Sequence, residues 1–201
     1  MPKRAKHSKL KRKVSHAKHK VSRAAKKVRK IAHKKISVVK KEISSTTKKF
    51  KSSVTEFLEK HKISFEVQPH KKDVWSAEDI AAQRKVPLKQ VVKCLVLTDG
   101  TNHVVACVPG DRKVKAGLVK QTAGTGKLEF LHEKHLKKVT GHPLGTTSPI
   151  GLASKVPVVI DERLAKLKHV SISSGHKKFG IKVSTKDLLK VSGAQVAKIS
   201  E

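Results

Sequence analysis

The chain has 201 residues, 37% of them hydrophobic, with 47 Lys and Arg against 15 Asp and Glu and a formal net charge of +32. That length suits one ordinary domain with an appendage, or two small domains. The charge is too large to serve solubility alone and implies a polyanionic partner, nucleic acid first and an anionic membrane surface second. Cys94 and Cys107 sit in apolar runs, which excludes a disulfide framework or a CxxC metal half-site and points to a reducing compartment. No apolar run approaches transmembrane length and no signal-peptide core follows the basic start, so a cytoplasmic protein with no membrane partner is expected.

Residues 1–50 carry 20 Lys and Arg and a single acid, Glu42. Leu10, Val14, Ala17, Val21, Ala24, Val28 and Ile31 recur at alternating spacings of four and three, one face of a helix. The stripe is thin and its lysines repel one another. Three readings stay open: a segment disordered when free and helical on a polyanion, a short coiled coil, or a membrane-surface helix. The expected division is a basic Lys-rich tail over 1–50 and a folded domain over 51–201.

From residue 51 the pattern changes. SSVTEFLEKHKI reads as a helix capped by Ser52 or Ser53, and ISFEVQP as a half-buried strand ending at Pro69. After Trp75, SAEDIAAQRKV begins like a capped helix, with Ser76 at the cap and Asp79 three residues on. VVKCLVLTDGTNHVVACVP is two apolar runs joined across Asp99-Gly100, a hairpin signal. KVKAGLVKQTAG predicts a helix closed by Gly124, KLEFL a short strand and HEKHLKKV another helix. Beyond a glycine-rich loop, VPVVID, HVSIS and FGIKV read as strands and STKDLLKVSG as a capped helix. The expected fold class is therefore α/β (α+β), a compact domain with six or seven strands and four or five helices around a mixed sheet.

Several motifs carry no chemistry. AGTGKLEF lacks the P-loop spacing, because Gln121 and Leu128 stand where glycine and a hydroxyl residue belong. His132 and His135 lie at i, i+3 with no further ligand nearby, so no metal is expected. No GxSxG elbow accompanies a serine. Tyrosine is absent and aromatics are 3% of the chain, which excludes an RNA-recognition sheet built on stacking rings.

Two features resist a bland reading. Alternation along VVKCLVL puts Lys93 on the face of Leu95 and Leu97, opposite Val92, Cys94 and Val96. Lys93 is then either a strand-end residue that snorkels to water or a cation aimed into a pocket. The loop GHPLGTTSPIG (141–151) alternates backbone freedom and rigidity around hydroxyls, which suits close approach of a ligand to exposed backbone N–H groups. A second small-residue turn, SISSGHKKFG (171–180), is placed to face it.

The helix SSVTEFLEKHKISFEV, the VVKCLVL strand, ACVPGD, TGHPLGTTSPIG, VPVVIDERL and VSISSGHKKFGIKVSTKDLLKVSGA together resemble the YbaK family, the aminoacyl-tRNA deacylase domain associated with bacterial prolyl-tRNA synthetases. The resemblance covers about residues 51–198 and leaves the basic tail outside. It implies a trans-editing hydrolase, without cofactor, that cleaves the ester of mischarged tRNA, foremost tRNA(Pro), with an aminoacyl-tRNA synthetase as a further partner. On this resemblance Lys93 is the catalytic lysine. Gly145, Thr146, Thr147, Ser148 and Pro149 form the loop that cradles the ester, with backbone N–H groups around Gly145–Ser148 polarising its carbonyl. Ser173, Ser174, Gly175 and His176 form the second turn, where Ser174 replaces the first of two paired glycines common in the family. The implied route uses a bound water aided by the substrate's own ribose hydroxyl. The tail then adds phosphate contacts. Two other readings stay open: a non-catalytic RNA-binding protein on a deacylase-like fold, and a DNA-compacting basic protein.

Overall fold

The computed structural model describes residues 50–72 and 76–201. The apolar stripe from Leu10 to Ile31 and the position of Trp75 lie outside the described residues.

Local chemistry fixes the element ends. Helix α1 (Ser53–Lys60) starts from Ser52, whose Oγ accepts the Thr55 N–H at 3.2 Å while Thr55 Oγ1 accepts the Ser52 N–H at 2.8 Å. This reciprocal box satisfies two donors that a helix start otherwise leaves open. Strand β1 (Phe65–Pro69) follows, then α2 (Ala77–Arg84), whose cap Ser76 accepts the Asp79 N–H at 3.0 Å. Strands β2 (Val92–Thr98) and β3 (His103–Pro109) pair as an antiparallel hairpin. Its turn is organised by the Asp99 carboxylate, which accepts the Thr101 and Asn102 N–H groups at 3.0 and 2.7 Å. Helix α3 (Ala116–Ala123), strand β4 (Glu129–Phe130) and helix α4 (Glu133–Thr140) come next. After the 141–151 loop the chain runs through β5 (Val158–Asp161), α5 (Glu162–Ala165), β6 (His169–Ser173), β7 (Phe179–Ser184), α6 (Thr185–Ser192) and β8 (Gln195–Ala197).

The α/β class holds, with two sheets where the sequence suggested one. The first is antiparallel with order β1-β7-β6; the second is mixed with order β4-β2-β3-β5-β8. A parallel bridge between Val91 and Ser171 joins the start of β2 to β6. The central strands of the five-stranded sheet, β2, β3 and β5, are buried on both faces. Val92, Val96, Val105, Cys107, Val158 and Ile160 turn towards the first sheet and meet Val170, Ile172, Ile181 and Val183, closed by Val54 and Leu58 of α1 and Leu188 of α6. Leu97, Val104, Ala106, Val108 and Val159 turn the other way, against Val119 of α3 and Ile199. Central strands covered on both sides read as near-continuous apolar runs, as β3 does. The cysteines face each other across the hairpin with sulfurs 3.3 Å apart, and burial raises the Cys107 thiol pKa well above its ordinary value.

Candidate active site

Strand β4 pairs with only two residues of β2, Leu97 and Thr98, and the Leu131 N–H reaches Val96 O at 2.9 Å. The first half of β2 therefore keeps an open edge. The Gly110 N–H donates to Val91 O, which sets the alternation of the antiparallel pair. Cys94 accordingly turns its backbone N–H and C=O away from β3 towards that edge. A cleft of about 420 Å³ runs along it. Its walls come from α2 (Ala77, Ile80, Arg84), β2 (Val92 to Val96), the end of β4 with α4 (Phe130, Glu133, Leu136), the loop at Leu144, Gly145 and Thr147, and the second turn at Ser173 and His176.

Of the residues singled out from sequence, Lys93, Gly145, Thr147, Ser173 and His176 line this cleft. Lys93 is half-buried and its ammonium donates to the Arg112 carbonyl at 2.6 Å, so a backbone oxygen fixes its tip. The two loops meet as expected: Ser173 Oγ donates to Thr146 O at 2.6 Å and accepts the Gly175 N–H at 3.2 Å. The others lie behind the lining. Thr146 Oγ1 donates to Pro143 O at 2.7 Å, and buried Ser174 Oγ donates to Phe179 O at 2.8 Å. Pro149 borders a separate shallow groove with Phe57 and Val158. Ser148 is fully buried and its hydroxyl has no hydrogen-bond partner among the described residues.

The backbone N–H groups around Gly145–Ser148 fall into two pairs. The Thr146 N–H donates to Pro143 O at 3.0 Å and the Ser148 N–H to His142 Nδ1 at 3.3 Å. Those of Gly145 and Thr147 make no hydrogen bond among the described residues. Two backbone donors on residues of the cleft lining are thus left unused among the described residues.

Two residues that sequence reading passed over organise the site. The first is buried His142. An N–H cannot accept, so the contact from Ser148 assigns the proton to Nε2, which donates to Ser53 Oγ at 3.0 Å. Burial lowers the His142 pKa, against a raising contribution from the Gly151 backbone. The neutral ring ties the 141–151 loop to the start of α1 and packs on Gly175 of the second turn. The second is Arg84. Its Nε donates to His70 Nε2 at 2.8 Å and its Nη1 to Ser171 Oγ at 2.9 Å and Ile172 O at 3.0 Å. His70 Nδ1 in turn donates to Lys177 O at 3.0 Å, and burial with the neighbouring guanidinium lowers the His70 pKa. No group of three or more metal-ligating side chains occurs among the described residues; His132 caps α4, where its Nδ1 accepts the Lys134 N–H at 3.3 Å.

Residues 71–191 match the model of the aminoacyl-tRNA editing domain. A protein of Enterococcus faecalis, provisionally named Cys-tRNA(Pro)/Cys-tRNA(Cys) deacylase EbsC, is 27% identical over 146 residues, 71% of this chain and 89% of that protein. A proline–tRNA ligase of Geobacter sp. (strain M21) is 43% identical over 86 residues, 43% of this chain but only 15% of the ligase. A crystal structure described as a trans-editing enzyme for prolyl-tRNA synthetase superposes with a TM-score of 0.67 at 25% identity, covering 74% of this chain and 95% of that one. The match to the editing-domain model spans more than half of the sequence, and the chain belongs to the aminoacyl-tRNA editing domain family.

Proposed function

We propose that this protein is a trans-acting aminoacyl-tRNA deacylase that removes wrongly attached amino acids from tRNA, foremost from tRNA(Pro), with Lys93 and the Gly145–Thr147 backbone as its working groups. The observation that carries this reading is one cleft bordered by an ammonium and by unspent backbone donors, in a chain of the editing-domain family. An aminoacyl ester is already activated, so its hydrolysis needs positioning and charge stabilisation more than a strong nucleophile. Water adds to the ester carbonyl carbon and the carbonyl oxygen becomes an oxyanion. The Gly145 and Thr147 N–H groups receive that oxyanion. The tetrahedral species collapses, the ribose oxygen leaves with a proton, and free amino acid and uncharged tRNA result. Lys93, held by the Arg112 carbonyl, anchors the substrate or the attacking water.

The basic segment over residues 1–50 acts in this reading as a tRNA-binding tail beside the domain from residue 51, neutralising phosphates without reading sequence. The relation to prolyl-tRNA ligases and to a trans-editing enzyme favours a prolyl-tRNA synthetase as a functional partner. No helix among the described residues is long and apolar enough to cross a membrane. A cytoplasmic setting, where tRNA is charged, fits the proposed substrate.

The test is deacylation of alanyl- and cysteinyl-tRNA(Pro), with correctly charged prolyl-tRNA(Pro) as the reference, by wild type and Lys93→Ala. Release of the wrong amino acid by wild type, falling at least a hundredfold in the variant, is expected, the scale of one lost oxyanion-type contact. Tight tRNA binding with no release from any substrate would replace the enzyme with a non-catalytic RNA-binding protein.

A further inference from the structure

Arg84 presents a charge with no partner of opposite sign among the described residues. It closes α2, where an arginine is expected to reach into solvent and complement the helix end. Instead it is only 9% exposed. The opening that admits it is made by Gly180 of β7, where any Cβ would overlap the guanidinium. Its three hydrogen bonds all go to neutral acceptors, namely His70, Ser171 and the Ile172 carbonyl. Ser171 Oγ passes its own proton to Gln68 Oε1 at 2.9 Å, so that network is internally satisfied and uncharged. Nη2 makes no hydrogen bond among the described residues. Neither does any described carboxylate stand within ion-pair distance; Glu133, the acid on the cleft rim, is not paired with it. Desolvation lowers the Arg84 pKa to about 10, which leaves the group a cation at neutral pH.

A buried cation without a counter-charge is costly, and a protein that fixes one at a cleft wall in a neutral frame has left its charge for something that enters. We propose that Arg84 is the floor of an anion subsite in the cleft, and that its ligand is the phosphodiester joining the last two nucleotides of the acceptor end.

This rests on the deacylase reading, which supplies the choice of anion. The carboxyl group of the attached amino acid is consumed in the ester, so the anions that every aminoacyl-tRNA brings to the site are backbone phosphates. The terminal linkage is one ribose away from the scissile bond. A planar guanidinium matches phosphate oxygens in geometry as well as charge. Holding that phosphate fixes the terminal ribose, and with it the ester, against Lys93 and the Gly145–Thr147 backbone. Arg84 is thus a positioning residue that binds substrate outside the reacting atoms.

The experiment uses the full chain and semisynthetic alanyl-tRNA(Pro) whose terminal internucleotide linkage is either the natural phosphodiester or an uncharged methylphosphonate. Wild type is expected to show a KM about ten- to a hundredfold lower for the charged linkage, the range of one charge-assisted hydrogen bond, with kcat nearly unchanged. Arg84→Met is expected to erase the difference, and Arg84→Lys to restore part of it. The wild-type comparison stands alone if the Met variant fails to fold. Equal KM values for the two linkages with wild type would overturn the subsite while leaving the deacylase intact. A wild type that hydrolyses neither substrate nor unmodified alanyl-tRNA(Pro) would sink the deacylase reading itself. Aspartyl-tRNA(Pro) provides the remaining arm. If Arg84→Met impairs hydrolysis of that ester alone and ignores the linkage, the anion is an amino-acid side chain and the phosphate assignment is wrong.

Discussion

Gly175→Ala tests how the second turn holds the first. Gly175 has φ +81°, and a Cβ added there would lie 3.0 Å from His142 Cδ2 and 3.3 Å from Nε2. The left-handed backbone alone costs an L-residue about 1 to 2 kcal/mol. The contact adds to this, because the imidazole must shift by a few tenths of an ångström while bonded to Ser53 and Ser148. Each of those bonds contributes on the order of 1 kcal/mol, and weakening both brings the total to roughly 2 to 4 kcal/mol. Gly193 supplies the control: φ is +61° and nothing lies within 4 Å of an added Cβ, so Gly193→Ala carries the backbone term alone. Urea unfolding of both variants is expected to separate them by at least 1 kcal/mol. Deacylation of alanyl-tRNA(Pro) is expected to lose kcat in Gly175→Ala and to keep it in Gly193→Ala. Equal destabilisation with unchanged turnover in both would refute the idea that His142 transmits the second turn's position to the loop.

The tautomer of His142 gives a sharper substitution. Asparagine keeps an acceptor near Nδ1 for the Ser148 N–H, whereas glutamine keeps a donor near Nε2 for Ser53; if the Ser148 bond shapes the cleft loop, His142→Asn is expected to retain several-fold more kcat than His142→Gln, and the reverse order would give that role to the Ser53 bond. His70 and His142 both have lowered pKa values in the folded chain, so the unfolded chain binds protons that the folded one refuses. Their contribution to stability is complete above about pH 6.5 and declines as pH falls towards the folded values; thermal unfolding between pH 7.5 and 5 measures it, and a flat profile from wild type would contradict the shifts. Deleting residues 1–50, which carry 20 Lys and Arg, is expected to raise KM for tRNA and flatten its salt dependence while leaving kcat unchanged. Collapse of turnover at saturating substrate would instead make the tail part of the site or the fold.

Signals confined to a few neighbouring residues were legible in the sequence. Ser52, Ser76 and Gly124 cap the elements they were expected to cap, and the alternation that set Lys93 apart from Cys94 is the one the packing follows. Elements lacking such signals escaped. Helix α5 is a single turn, and β8 is a short, largely exposed edge strand whose place comes from pairing with β5. The division into two sheets depends on β1 finding β7 more than a hundred residues away, which periodicity does not encode. The same applies to His142 and Arg84. The Ser53–His142 bond spans 89 positions, and an arginine at a helix end reads as an ordinary solvent-facing cation. One clue was present: Gly180 interrupts an otherwise regular strand, and a glycine there often marks the close approach of another group.

The open stretch of β2 at Cys94 also bears on colloidal behaviour. An unpaired strand edge is a template on which a second chain can add itself, and proteins ordinarily blunt such edges with charge or cover. Here the edge lines a cleft walled by α2, α4 and the 141–151 loop, so a narrow ligand can enter while a flat foreign strand is kept off. The aperture that admits a ligand is thereby also where this central strand lies open to pairing. Variants that widen it by trimming Leu144 or Phe130 trade access for a greater tendency to aggregate.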